Sequence, residues 1–278
     1  MWTLSGFVDE ISSDPAEQCA VAAGLGLRFA EIRSAWDVNI LDLDDARLAT
    51  LQTLLAGHGL QVSSIGSPIG KIRIDEPAGP HLDRMRRAAE VAVRLGAPYI
   101  RVFSFFVPGG PGAPDPAVHR DEVLARMRAL TAIAADAGVV LVHENEKHIY
   151  GDVPSRCLDL VGSVASPHLR LAWDPANFVQ VGVRPFTEGY AALRPHLEYV
   201  QIKDALLADG TVVPAGEGDG EVLTTIRALR ADGFDGFFSL EPHLAAGHPT
   251  GGFSGPELFT RAWKAFTGLL TAEGIEFA

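Results

Sequence analysis

Short apolar runs recur along the chain in one setting. GLGLRFAEI, GHGLQVSSI, LGAPYIRV, AGVVLVHE and DGFDGFFSL each follow a helix-like segment, pass a glycine, and continue into an apolar run that ends on a polar residue. Glycine just past a helix supplies the left-handed conformation cheaply, and Val/Ile/Phe-rich runs suit strands buried on both faces. Helix starts are marked too: Asp14-Pro15-Ala16-Glu17 offers an N-cap, a proline at the first helical position and an acid in the first turn. The pattern predicts eight strands, at 4–9, 28–33, 61–66, 98–104, 139–144, 169–174, 198–203 and 236–241. Helices are expected between and after them, at 14–24, 44–58, 80–95, 119–137, 153–163, 186–194, 221–232 and 255–272. Alternating βα units imply parallel strands joined by right-handed crossovers. Eight units in 278 residues imply an α/β fold of the (β/α)8 TIM-barrel kind. A doubly wound open sheet is the alternative, but no GxGxxG follows the first strand. No Gly/Ser or Pro linker divides the chain, so residues 1–278 are read as a single domain.

The loops are unequal. Those after strands 3, 4, 7 and 8 are long and rich in Gly and Pro (SPIGKIRIDEPAGP, FFVPGGPGAPDP, ALLADGTVVPAGEGDG, PHLAAGHPTGG). In a barrel they follow the carboxyl ends of the strands, where sites are built. Polar groups end the strands on that side: Glu31 and Arg33, Arg101, Glu144, Asp174, Gln201 and Lys203, and Glu241. The seventh strand, EYVQIKDA, is apolar at Val200 and Ile202, whereas Tyr199, Gln201 and Lys203 share the other face. That face belongs either to an edge strand turned to water or to the inside of a barrel. In GFFSLEPHL, Ser239 and Glu241 share a face, which should be the inner one because helices cover the outside. Glu144 is placed similarly, with His143 on the opposite parity. A single rim acid is ordinary when an arginine lies near. Three carboxylates held together repel one another unless a cation offsets them, and a divalent metal is the simplest offset.

Composition narrows the classes. The apolar fraction of 47% supports a large core, and no run of about 18 apolar residues suggests a membrane span. The N-terminus lacks the basic-then-apolar form of a signal peptide. Cys19 and Cys157 show no CxxC spacing, which fits a reducing, cytoplasmic setting without a disulfide framework. A formal charge of −12 argues against a nucleic-acid partner.

Five motifs carry a resemblance: HEN after strand 5, DPAN after strand 6, the QIKDA strand, the PAGEGDG loop and LEPHL at strand 8. With GFVDEIS at the start and SSIGSPIGKI after strand 3, the chain resembles the xylose-isomerase-like TIM barrels over nearly its whole length. These are sugar-phosphate isomerases and epimerases related to tagatose 3-epimerase and hydroxypyruvate isomerase. The resemblance implies one divalent metal held by Glu144, Asp174, the residue at position 201, and Glu241. Position 201 is commonly histidine in that family and is Gln201 here. An amide oxygen suits a hard cation better than a borderline one, so Mn²⁺ or Mg²⁺ is favoured over Zn²⁺ or Co²⁺.

The resemblance further implies a metal-dependent sugar or keto-acid isomerase/epimerase. Glu144 and Glu241 would exchange protons with a small-molecule substrate through an enediolate, one as base and the other as acid. Lys203 would reach a substrate hydroxyl or carboxylate, or a neighbouring acid such as Asp174. Asn177 would contact substrate or cap the following turn, and Glu31 and Arg101 would orient a polyol or pair with each other. His143 falls to packing, His243 to the rim or to solvent, and Trp36, Trp173, Phe103, Phe105 and Phe106 to a pocket wall or to the core. The PAGEGDGE loop has a phosphate-binding shape, but its acids Glu217 and Asp219 count against that use. Rival readings are an inosose- or dehydroshikimate-type dehydratase, a DNA-repair nuclease of the same superfamily, and a non-catalytic sugar-binding barrel. The nuclease needs a histidine-rich zinc site and a basic surface, which this acidic chain does not offer. Association as a homodimer rests on analogy with such barrels.

Overall fold

A computed structural model describes residues 1–109, 115–245 and 254–278. Eight parallel strands form one sheet: β1 (Thr3–Gly6), β2 (Phe29–Ile32), β3 (Gln61–Ile65), β4 (Tyr99–Val102), β5 (Val140–Glu144), β6 (Leu169–Trp173), β7 (Leu197–Ile202) and β8 (Phe237–Leu240). Each strand pairs with its sequence neighbour from β2 to β8, and β8 pairs with β1. The ring is completed by a parallel bridge between Phe7, just past β1, and Glu31 in β2. The helices are α1 (Pro15–Gly24), α2 (Asp45–Gly57), α3 (Gly79–Leu95), α4 (Arg120–Asp136), α5 (Pro154–Val164), α6 (Pro175–Gln180), α7 (Val222–Ala231) and α8 (Gly255–Ala272). The chain is thus a (β/α)8 barrel, as its repeating pattern predicts.

Local chemistry sets the ends of these elements. Asp14 caps α1 by accepting from the Ala16 N–H, and Asp44 caps α2 by accepting from the Arg47 N–H. Gly96 closes α3 in the left-handed conformation at φ 69°. Three expectations are refined. The helix expected at 186–194 is present but irregular, winding as a π turn, one short α turn and a 3-10 turn (Phe186–Tyr190, Ala191–Leu193, Arg194–His196). The short helix α6 lies where only a DPAN turn was read, because Asp174 caps it and Pro175 begins it. The first strand also stops at Gly6, and Val8–Glu10 turns in a 3-10 helix that lifts Asp9 and Glu10 to the rim.

The barrel interior changes character along its axis. Near the amino ends of the strands, Phe29, Tyr99, Tyr199 and Phe237 plug it, with edge-to-face contacts at 5.0 Å (Phe29–Phe237) and 5.8 Å (Tyr99–Tyr199). Hydroxyls follow, with Ser5 Oγ 2.6 Å from Ser63 Oγ and Ser63 Oγ 2.9 Å from the Tyr199 hydroxyl. The charged groups gather above them at the carboxyl ends. Outside, the helices bury one large apolar cluster against the strands. Of the long loops, residues 110–114 after β4 and 246–253 after β8 lie outside the described residues.

Candidate active site

Three buried carboxylates meet at the carboxyl end of the barrel. Glu144 is the last residue of β5, and Asp174 caps α6. Glu241 follows β8 and donates its N–H to the Ile202 carbonyl, prolonging the ladder with β7. One oxygen from each lies within 4.8 Å of the others, and none of the three residues is more than 1% exposed. The Leu240–Ile202 pairing sets Glu241 beside Lys203, one position further on.

The protein supplies its own counter-charges. Lys203 Nζ lies 2.7 Å from Asp174 Oδ2 and 2.9 Å from Glu241 Oε2. Arg101 Nη1 lies 3.1 Å from Glu144 Oε2 and 3.2 Å from Glu241 Oε1. Arg33 reaches Glu241 Oε1 at 3.3 Å while also holding Asp9 at 2.7 Å and Glu10 at 3.1 Å. His243 Nε2 stands 3.3 Å from both Glu241 and Glu10, so it joins the site rather than solvent. Lys203 thus joins Asp174 to Glu241 and Arg101 joins Glu144 to Glu241, whereas Glu144 and Asp174 meet through Asn177 and, among the described residues, share no cation. Glu31 and Arg101, offered as a mutual ion pair, do not make one; Arg101 is taken by Glu144 and Glu241.

The environments of the two glutamates differ in consequence. Burial pushes the Glu144 carboxyl up to about 8, against the pull of Arg101. Burial works on Glu241 as well, yet Lys203 and His243 hold it well below the usual carboxylate range. Burial opposes the charge on Lys203, but Asp174 and Glu241 raise its ammonium well above an ordinary lysine. Two carboxyls sharing one arginine thus favour opposite protonation states, a pattern that separates acid from base.

Asparagines hold the acids in place. Asn177 Nδ2 donates to Glu144 Oε1 at 3.0 Å, and its backbone N–H donates to the capping Asp174 Oδ1 at 2.9 Å, so the residue touches the site while Asp174 caps α6. Asn145 exchanges two hydrogen bonds with the Asp174 backbone. One layer down, Glu31 Oε2 accepts from Ser239 Oγ at 2.7 Å, the Tyr199 hydroxyl at 3.0 Å and Gln201 Nε2 at 3.3 Å. Gln201 therefore lies just below the acids, with its Oε1 buried and without a protein partner.

The glycine-rich loop after β7 is already filled. Asp204 Oδ2 accepts from the Gly216 and Gly218 N–H groups at 2.9 and 3.1 Å, and Oδ1 accepts from Gly220 and Ala205 at 2.8 Å each. A Cβ on Gly218 would stand 2.5 Å from Asp204 Oδ1. The chain's own carboxylate occupies the place that the loop's shape suggested for phosphate.

Asp9, Glu10, Asn145 and Asp204 were not singled out from sequence, although GFVDEIS, HEN and QIKDA contain them. Their partners come from distant strands and loops, which no local pattern marks. His143 packs outside the site, 3.0 Å from Ser104 Oγ. Trp173 packs on Phe178 and Tyr190 in the core, and Phe103 is buried beneath the Lys71 ammonium and Arg101 guanidinium at 4.2 and 5.0 Å.

A (β/α)8 barrel with acids, an amide and a lysine on the carboxyl rim of β5 to β8 defines a class of barrel enzymes. The chain belongs to the xylose isomerase-like TIM barrel family, whose model matches residues 19–258. It is 32% identical over 147 residues to 2-epi-5-epi-valiolone 7-phosphate 2-epimerase of an Actinoplanes species, covering 52% of this chain and 51% of that protein. The match thus spans about half of that relative's length. Among solved structures it is similar to D-allulose 3-epimerase of a Methylomonas species in complex with D-allulose (TM-score 0.75, 17% identity, 97% and 96% of the two chains). It is also similar to a xylose isomerase-like TIM barrel protein of Mycobacterium smegmatis in complex with magnesium (0.71, 22%, 98% and 96%). A third neighbour is the probable 3-DHS dehydratase of Bacillus anthracis (0.74, 18%, 96% and 99%).

Proposed function

We propose that this protein is a divalent-metal-dependent epimerase or isomerase of a small sugar or sugar-derived keto acid, working by proton transfer between Glu144, Glu241 and the substrate. The observation that carries it is the buried cluster of Glu144, Asp174 and Glu241 at the mouth of the barrel, with the two glutamates joined through Arg101. The residues fit a hard divalent ion. Three carboxylate oxygens lie close enough for one ion to share, and Gln201, beside Asp174 in strand register, has a buried neutral Oε1 without a donor. Glu144, Asp174, Gln201 and Glu241 would hold it, with Mn²⁺ or Mg²⁺ favoured by the all-oxygen donor set. When bound, such an ion polarises a carbonyl and stabilises negative charge on its oxygen.

The chain's own groups perform the rest. Glu241 takes the proton next to the substrate carbonyl, and a protonated Glu144 returns one to the other face or the adjacent carbon. Arg101 bridges both carboxylates and keeps them apart as substrate charge develops between them. Asn177 orients Glu144 through its amide. Lys203 serves the acids directly, and its contact with a substrate hydroxyl would come through the same ammonium. Both cysteines are buried free thiols, in keeping with the reducing cytoplasmic setting we assign.

The test follows solvent hydrogen. Metal-loaded protein incubated with ketoses and keto acids in D₂O should insert deuterium with no other change in mass. Loss of water instead would move the reading to a dehydratase, the activity borne in the name of one structural neighbour. A Glu241→Gln protein that binds metal normally and still exchanges substrate protons would exclude Glu241 as the base.

A further inference from the structure

The layer directly below the acids contains two fully buried oxygens without a donor, Glu31 Oε1 and Gln201 Oε1. The opposite ends of the same two side chains are well served. Glu31 Oε2 collects donors from Ser239, Tyr199 and Gln201, and the Tyr199 hydroxyl is itself tied to Ser63. An amide can be turned end for end with almost no change of shape, so the volume at position 201 does not decide which end faces the acids. Glu31 decides it. An oxygen that is already accepting can take only the N–H end of the amide, and the amide oxygen is then turned away from Glu31.

Strand register says what lies beside it. Trp173 of β6 pairs with Val200 of β7, so Asp174 stands beside Gln201 one position further on. Ser239, paired with Gln201 on its other side, belongs to the Glu31 cluster. Gln201 therefore has Asp174 beside it on the β6 side and, on the β8 side, Ser239 with its bond to Glu31, while Glu241 stands two residues further on, just past β8. The reverse orientation would set its oxygen against a carboxylate and aim two N–H groups at any cation among the acids.

We infer that Glu31 is a positioning residue: its acceptor oxygen fixes the Gln201 amide so that the amide oxygen is offered as a neutral ligand to a hard divalent cation at Glu144, Asp174 and Glu241. The inference rests on the metal-dependent reading above and gives the chain's departure from histidine at this position a supporting partner. Supporting groups of this kind are worth about ten- to a hundredfold in metal affinity.

The experiment measures Mn²⁺ affinity on the full-length protein from the spin resonance signal of the free ion, with no substrate present. Glu31→Met removes the acceptor and should weaken Mn²⁺ binding by about tenfold or more. Glu31→Gln keeps an oxygen that can take the same three donors, and should bind nearly as wild type. Should Glu31→Gln itself weaken Mn²⁺ binding by about tenfold or more, the role of Glu31 is its charge and the inference fails. That single variant decides the matter even where Glu31→Met does not fold. Gln201→Ala separates the two levels. Weak binding by Gln201→Ala with wild-type binding by Glu31→Met overturns the positioning role alone. Wild-type binding by Gln201→Ala removes Gln201 from the ligand set and overturns the metal assignment on which the inference rests.

Discussion

Replacing Asp204 by Asn tests whether the loop after β7 is held by one carboxylate. Asp204 uses both oxygens as acceptors for four backbone N–H groups, at 2.8 to 3.1 Å. Asparagine preserves the shape but turns one oxygen into an NH₂ group. Whichever way the amide is set, two of the four N–H groups lose their acceptor and face a donor. Hydrogen bonds to a charged group contribute about 1.5–3 kcal/mol each, so losing two costs about 3 kcal/mol at the lower end. For a domain of this size about 1 kcal/mol moves the melting temperature by roughly 2–4 °C, so Asp204→Asn should melt roughly 6–12 °C lower. The loss should be local at first, with new protease cleavage between residues 206 and 220 while the barrel remains folded. Calorimetry with limited proteolysis measures both. A melting temperature within about 2 °C of wild type and an uncut loop would refute the reasoning, since the four contacts would then contribute almost nothing. Gly218→Ala is an independent route to the same outcome, because its Cβ would stand 2.5 Å from Asp204 Oδ1.

Lys203→Met leaves Asp174 and Glu241 buried without their shared ammonium; a loss of about 3 kcal/mol or more in urea unfolding of the metal-free protein is expected, and added Mn²⁺ should stabilise this variant more than wild type. Gln201→His places an imidazole at the acid cluster, so affinity for Zn²⁺ and Co²⁺ by calorimetric titration should rise more than affinity for Mg²⁺. His81 accepts the Gly70 N–H at 2.6 Å through Nε2 and must be neutral to do so; burial, with Arg126 adding, pushes it down to about 4. The unfolded chain gains this proton first, near pH 6.5, so His81 adds stability above that pH and its contribution fades as pH falls from about 6.5 to about 4. In that window His81→Gln should unfold with a shallower pH slope than wild type, by up to about 1.4 kcal/mol per pH unit, and equal slopes would show that His81 is not kept neutral by the fold.

Much of the architecture was written in the chain locally. Glycine followed by a Val/Ile/Phe-rich run marks a helix end and a buried strand, and these signals act over a few residues. All eight strands consequently fall where the pattern put them, within a few residues. Parity also survives folding: Glu144 and Glu241 point inward while His143, one residue away, packs against Ser104. The resemblance carried by HEN, DPAN, QIKDA and LEPHL pointed to the same rim. Sequence reading was coarser in two places. At 186–194 the expected helix winds as π, α and 3-10 turns in place of a regular α-helix, and at Pro175 a capped short helix hides behind a turn motif.

The charges were another matter. Sequence alone showed three acids that would repel one another, and a metal was the simplest remedy. Only the closed ring showed that Lys203, Arg101 and Arg33, from just past β7, from β4 and from just past β2, all reach Glu241, with Lys203 also on Asp174 and Arg101 also on Glu144. Contacts such as Arg33 with Glu241 join residues 208 positions apart, and no periodicity encodes a partner at that separation. The same holds for Asp204, whose four N–H partners exist as a set only once the glycine loop has folded back over it. Strand period and glycine placement are properties of neighbours in sequence, so the amino-acid sequence by itself determined the barrel and which residues face its axis. Which acid keeps a proton, which cation neutralises which acid, and which end of the Gln201 amide faces the site depend on distances between strands, and those were decided by ring closure and register.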